Sequence, residues 1–458
     1  MEYESCSTSH AVPTTYKTPI CDHRHPLLPR LSQATSHLSD IILSGLVETC
    51  HSAPPQPTVI LIPMAVLASE RWTDDKYITE SSKNAKAKFN TLDRKRCCDY
   101  VSTLQGGLDC TMTDKYAHGM YNLVVEFVFP DRFCIARISM YTLSENERRE
   151  MDSEVQTMKF VAANTNIPVP QVYTYDTSAA NPFDAAFMLM EGVLGWAPDW
   201  NESSEPLRQK IIQQMAAIKL ELGKVRFDKI GCLRTDATGA SVIDSFPAAG
   251  HKSAGPFHTA LEYYTHYAES AWRDCFEQDY PDENARRKAC FLPWLSRTIC
   301  PFLPQRAFLQ HGFPLSHPDF GPHNLLVDDD GNVKAVIDWS LTYTVPWETF
   351  CRFPVLLEVQ WTRRQKYSEW VWERLMGHQE CYIEALTRME EEQDFQPKLS
   401  RFVRSEAVKA AEGIESYFCA PWFRYGWVNV LYEMVYGGLV DIEKLQEAVC
   451  SSFFGFMG

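Results

Sequence analysis

Residues 316–340 are SHPDFGPHNLLVDDDGNVKAVIDWS. His317, Asp319 and Asn324 form an H-x-D-x-x-x-x-N pattern. The apolar pair Leu325-Leu326 follows, then a Gly331-Asn332 turn, a second short strand from Lys334 to Ile337, and Asp338 at its end. Apolar runs on either side of a glycine turn predict a β-hairpin. Both of its strands deliver polar residues to one edge. The three-residue pattern alone arises readily by chance in a long chain, but the loop, hairpin and terminal Asp together are far more specific.

Each position answers a chemical need. Transfer of a phosphoryl group to a hydroxyl requires a carboxylate within hydrogen-bonding reach of that hydroxyl, which Asp319 supplies. It also requires oxygen ligands for magnesium, which Asn324 and Asp338 supply. The spacing is that of a kinase catalytic loop followed by its metal-binding Asp.

A nucleotide roof is then expected upstream. NLVVEFVF ends at Phe129, Pro130-Asp131 supplies a turn, and FCIARIS runs from Phe133 to Ser139, which predicts a second hairpin. Gly119, Tyr121 and Asn122 stand just before it as a phosphate-covering loop. With one glycine, this loop is a weak signal by itself. Side chains alternate along a strand, so Ile135 and Arg137 share a face, one to pack on a base and the other to reach phosphates. Ser144 opens a helix with Glu147 three residues on, a capping box, and Met151, Val155, Met158 and Ala162 recur at helical spacing. Glu154 lies on that apolar face and wants a partner, for which Arg137 is the candidate, a surface ion pair being the plainer alternative. Pro168 and Pro170 end the helix. A buried strand, Ala186 to Met190, leads into Glu191-Gly192.

Beyond Gly195 the pattern turns helical, from Ser204-Glu205-Pro206 onward and again over 361–391. The expected organisation is an extension over 1–95, partly disordered apart from a short helix at 38–49, a small lobe over 96–192 and a helical lobe over 193–458. The basic run between Lys83 and Arg96 reads as a solvated helix face, with contact to an acidic partner as the other reading.

Composition narrows the function classes. The 458 residues are 45% hydrophobic and 22% charged, as in ordinary globular proteins. Lysine and arginine number 44 against 59 acids, a net charge of −15, which repels nucleic acid and would welcome a cation. Fifteen cysteines without a C-x-x-C pair suit reduced thiols in a cytoplasmic protein better than a disulfide framework. The start, MEYESCSTSH, does not read as a signal peptide, and no run reaches the roughly 18–20 apolar residues of a membrane span. No obligate protein partner is readable.

The chain resembles the aminoglycoside phosphotransferase and choline kinase-like superfamily, particularly its fungal phosphotransferase-family proteins, over roughly residues 110–350. The resemblance rests on GMYN, IARI, SEVQTMKFVAANTNIPVPQVY, FMLMEG, VRFDKIGCL and HPDFGPHNLLVDDDGNVKAVIDW. It implies an α+β, bilobal, protein-kinase-like fold, with a small β-rich N-lobe carrying one helix and a larger, mainly helical C-lobe. It implies ATP and Mg as cofactors and a small-molecule hydroxyl as acceptor. By it, Asp319 is the catalytic base, Asn324 and Asp338 are magnesium ligands, Met190 and Glu191 form the hinge beside adenine, and Arg137 with Glu154 anchors phosphates.

Two departures matter. Arg137 stands where protein kinases carry lysine, though its fork still matches phosphate oxygens. Ser340 stands where the resembled family more usually has an acid. A protein kinase is disfavoured, because Gly321 replaces the catalytic-loop lysine and Pro346-Trp347 arrives before an activation segment would fit. A catalytically weak or inactive kinase-like binding protein is the alternative that Arg137 and the sparse loop leave open. Trp196, Asp199, Trp200, Glu202 and Glu205 offer charge and ring faces to an amine, and read equally as a solvated loop.

Overall fold

A computed structural model describes residues 80–247, 254–357 and 368–409, with the single positions 411 and 444. The helix expected at 38–49 and residues 361–367 of the expected late helix lie outside the described residues.

The small lobe is built on five antiparallel strands: β1 (Thr111–His118), β2 (Asn122–Val128), β3 (Phe133–Ser139), β4 (Val172–Asp176) and β5 (Phe187–Glu191), in the order β1-β2-β3-β5-β4. The hairpin of β2 and β3 lies where alternation placed it, with Asn122 opposite Ser139 and Val128 opposite Phe133. β1 and β4 go beyond the expected strands, because TMTDKYAH and VYTYD carry too many polar residues to read as half-buried. Between β3 and β4 runs α3 (Glu145–Asn164). Its capping box is complete: the Glu147 N–H donates to Ser144 Oγ at 3.3 Å, and the Ser144 N–H donates to Glu147 Oε2 at 2.8 Å.

Two further helices, α1 (Glu80–Thr91) and α2 (Arg94–Leu104), cover the outer face of the sheet. Ala85, Phe89, Cys97 and Val101 join Leu123, Val125, Phe127, Cys134, Ala136 and Ile138 in one buried core. The expected boundary at residue 95 therefore falls inside a packed helix pair. The small lobe reaches back at least to residue 80, because the sheet's outer face is apolar and needs a cover. The lysines Lys83 and Lys86 and Arg94 to Arg96 do lie exposed, as a solvated face should.

The large lobe contains α4 (Glu205–Lys224), β6 (Arg226–Phe227), β7 (Cys232–Thr235), β8 (Ser241–Asp244), α5 (Ala260–Glu277) and α6 (Glu283–Ile299). It continues with β9 (Phe313–Ser316), the hairpin β10 (Leu325–Val327) and β11 (Val333–Val336), β12 (Tyr343–Thr344), α7 (Trp347–Phe350), α8 (Glu369–Glu392) and α9 (Leu399–Phe402). Short strands form a second sheet in the order β6-β9-β12-β7-β8. One core runs through both lobes: Val155, Met158, Met188 and Met190 meet Ile211, Met215, Leu325, Val336, Trp339 and Trp347. No helix among the described residues is long and apolar enough to cross a membrane.

Candidate active site

β3 sets the upper wall. Cys134, Ala136 and Ile138 are fully buried toward α1 and α2, so Ile135 and Arg137 face the other way, where Ile135 packs against the core shared by the lobes. Arg137 meets Glu154 of α3 through both carboxylate oxygens, with Nη1 donating to Oε1 at 2.7 Å and Nη2 to Oε2. Glu154 is buried and Arg137 nearly so. Burial opposes the guanidinium charge, but Glu154 more than offsets it and Asp338 adds to the effect, so Arg137 is held more firmly protonated than usual.

Gly119 donates its N–H to the Asn122 carbonyl at 2.9 Å, closing the short connection between β1 and β2. Nothing lies within 4 Å of where a side chain at Gly119 would begin. Packing therefore does not require glycine there. Tyr121 accepts the Met140 N–H at 2.9 Å, and Asn122 pairs with Ser139 beside the pairing of Val124 with Arg137, so the turn lies at the Arg137 end of the sheet.

At the other end Met190 pairs with Ile135. Glu191 donates its N–H to Gln171 O at 2.8 Å and accepts the Gln171 N–H on Oε2 at 3.1 Å. The Gly192 N–H donates to Phe133 O at 3.1 Å, and a Cβ on Gly192 would lie 2.1 Å from the Phe133 ring. Only glycine lets the connection pass this close. Trp196 then exchanges two backbone hydrogen bonds with Val327, at 3.1 and 2.9 Å, tying the connection to β10.

The segment between β9 and β10 folds around Asn324. Its Nδ2 donates to Asp319 O at 2.9 Å and to Asp319 Oδ2 at 3.1 Å, which leaves Oδ1 as the free acceptor of that amide. The Ile337 N–H donates to the Asn324 carbonyl at 2.9 Å, bringing the start of the Asp338 loop beside Asn324. His317 is buried against Trp339, and its Nε2 lies 3.0 Å from Ile337 O. Burial holds this imidazole below its usual range, so it is neutral with Nε2–H as the donor. Asp338 adopts φ 59°, accepts the Ser340 hydroxyl at 2.8 Å, and lies 3.9 Å from Arg137 Nη1.

Asp319 and Asp338 remain substantially solvent-accessible, with 37% and 50% of their side chains exposed, while Asn324 is buried. The Asn324 amide oxygen and the Asp338 carboxylate are hard oxygen donors, the type that could hold magnesium. Among the described residues no three His, Cys, Asp or Glu gather as a preformed cage.

Two neighbours carried no signal readable from spacing. His323 Nε2 lies 3.1 Å from Asp319 Oδ2, and its ring occupies the space above Gly321, where a Cβ would come within 2.7 Å of Cε1. The absence of the kinase lysine at 321 thus has a packing reason. Glu150, one turn before Glu154 on α3, accepts the Leu341 N–H at 2.6 Å and the Tyr343 hydroxyl. Burial pushes its carboxyl up to about 7. Its partners are a backbone amide and a tyrosine some 190 positions on, which no local pattern announces.

The acidic loop near residue 200 is engaged in local structure. Glu205 meets His378 at 2.9 Å and Arg208 at 3.3 Å, Asp199 accepts the N–H groups of Asn201 and Glu202, and Trp200 stands edge-on to His378.

With this geometry in place, the sequence pattern that describes the phosphotransferase enzyme family matches residues 115–347, half of the chain. The chain belongs to the phosphotransferase enzyme family. Within this family member the match runs from the middle of β1 to the start of α7, and so takes in every residue of the site just described. A subtelomeric hrmA-associated cluster protein of Aspergillus fumigatus is 35% identical over 83 residues, which is 18% of this chain and 16% of that protein. The match thus spans about a sixth of the curated relative. Among solved structures, the chain is similar to a thermostable mutant of aminoglycoside phosphotransferase APH(4)-Ia in ternary complex with ADP and hygromycin B. That similarity has 14% identity, covers 73% of this chain and 97% of that one, and has a TM-score of 0.42. It is also similar to a macrolide 2′-phosphotransferase type I, at 12% identity, over 79% of this chain and 98% of that one, with a TM-score of 0.36.

Proposed function

We propose that this phosphotransferase-family member transfers the γ-phosphoryl group of ATP, with Mg²⁺, to a hydroxyl group of a small molecule. The observation that carries the reading is the convergence on Asn324: its amide is tied to Asp319, and its carbonyl is tied to Ile337, the residue before Asp338. Asp319 would orient the acceptor hydroxyl and take its proton. The hydrogen bond from Asn324 to Asp319 Oδ2 leaves Oδ1 of that carboxylate to point at the acceptor. Asn324 Oδ1 and Asp338 would hold Mg²⁺, which supplies charge neutralisation on the phosphates when bound. Arg137, positioned by Glu154, would contact phosphate oxygens, with Gly119, Tyr121 and Asn122 above them and Ile135, Met190 and Glu191 around the base. The acceptor class is left to charge: a net −15 favours a neutral or cationic acceptor over an anionic one.

An ATP-consumption screen over amines, amino sugars and polyols tests this reading, with Asp319→Asn as the control. Turnover with at least one acceptor, abolished in the variant, supports it. Equal ATP consumption by both proteins with every acceptor contradicts it.

A further inference from the structure

Helix α3 carries two carboxylates one turn apart, and they reach in different directions. Glu154 holds Arg137 on the sheet of the small lobe. Glu150, four residues earlier and so on the same face, holds the Leu341 N–H at 2.6 Å and the Tyr343 hydroxyl, in the segment that follows Asp338. That segment is unusual in its backbone. Asp338 and Leu341, at φ 59° and 58°, both adopt the left-handed region that L side chains rarely enter. Such conformations persist only where surrounding contacts impose them. On the near side, the imposing contacts are the Ile337 bonds to Asn324 and His317. On the far side they are the two bonds to Glu150, along with the pairing of Tyr343 to Cys232 and Ser316 in the second sheet.

The contacts close a ring. It runs from Asp338 along its loop to Leu341, across to Glu150, along one turn of α3 to Glu154, across to Arg137, and back to Asp338 at 3.9 Å. We infer that Glu150 is a positioning residue for the metal and nucleotide site, fixing the loop of Asp338 to the same helix that fixes Arg137. It rests on the proposed roles of Asn324 and Asp338. Glu150 touches neither phosphate nor metal in this assignment. Its part is to hold two groups at one separation although they belong to different lobes.

The test is calorimetry on the full chain with ATP, with and without Mg²⁺, and with adenosine as the control ligand. In the parent, Mg²⁺ should raise ATP affinity. In Glu150→Ala that Mg²⁺-dependent gain should fall about 10–100-fold, the range typical for partners that orient metal ligands, while adenosine binds within about twofold of the parent. Glu150→Gln keeps one acceptor oxygen for Leu341 and should retain most of the gain, and Tyr343→Phe should lie between. The last two variants serve if Glu150→Ala does not fold. An undiminished gain in folded Glu150→Ala or Tyr343→Phe overturns the inference and leaves the reading of the site intact. Equal losses for ATP and adenosine also overturn it, since Glu150 would then act on the fold alone. No Mg²⁺-dependent gain in the parent overturns both.

Discussion

Arg137 and Glu154 meet fork to fork, two nitrogens against two oxygens, and this pair sets where a cation faces Asp338 across the cleft. Lysine could satisfy one carboxylate oxygen at a time, whereas guanidinium satisfies both and still has donors to spare. The substitution that looked like a departure from kinase practice is thus stereochemically self-consistent.

Breaking this pair should cost more than removing it. With Glu154 at 3% and Arg137 at 17% exposure, loss of either partner leaves a charge without its neighbour in a poorly hydrated place. Arg137→Ala and Glu154→Ala should each destabilise the chain by about 3 kcal/mol, and the double variant by less than either alone. Both single variants should also weaken ATP more than adenosine, which lacks the phosphates, and Arg137→Lys should partly restore ATP binding. Urea denaturation and calorimetry read the two effects. Additive stability losses, with equal losses for both ligands, would deny the pair a role in binding.

Asn324 should matter through both ends of its amide. Asn324→Ala removes the donor to Asp319 and the proposed oxygen ligand at once, so turnover should fall by about 10²-fold or more and the synergy between ATP and Mg²⁺ should vanish. Asp338→Ala should abolish the synergy as well. Parental synergy in either variant, measured by calorimetry, would remove that residue from the metal site.

Much of this was legible in the sequence because it is local. The loop from His317 to Asn324, the hairpin after it and the capping box at Ser144 are patterns of spacing, and short-range geometry fulfils them. Ile135 and Arg137 could be placed on one face because alternation along a strand is obligatory. What escaped is what depends on distant packing. β1 has a polar sequence that its pairing with β2 stabilises, and α1 with α2 exist because the sheet's outer face needs an apolar cover. Glu150 escaped for the same reason, since its two partners are set by tertiary structure alone.

The share of stability carried by Glu348 should fall as pH rises through neutrality. Glu348 is buried, accepts the Gln305 N–H at 2.6 Å, and burial pushes its carboxyl from 4.5 up to about 7. The folded chain keeps this proton where the unfolded chain has released it. Its stabilising contribution is therefore fully present below pH 4.5 and is lost as pH climbs through about 7. Glu348→Gln does not titrate, so it should match the parent near pH 4.5 and exceed it at pH 8 by on the order of 1–3 kcal/mol. Glu150, shifted the same way, keeps part of the slope in the variant. Denaturation midpoints across this range check the sign, and parallel curves for parent and variant would contradict it.

The most direct measurement is transfer of the ATP γ-phosphate to a hydroxyl acceptor by the parent and by Asp319→Asn, with ATP affinity measured on both. The variant preserves shape and the bond from Asn324 to the backbone of residue 319, but it removes the carboxylate that would take the proton. Turnover should fall by roughly 10²–10⁴-fold while ATP affinity changes by less than about threefold. Parental turnover in Asp319→Asn would contradict the assignment of the base, and with it the account of this site.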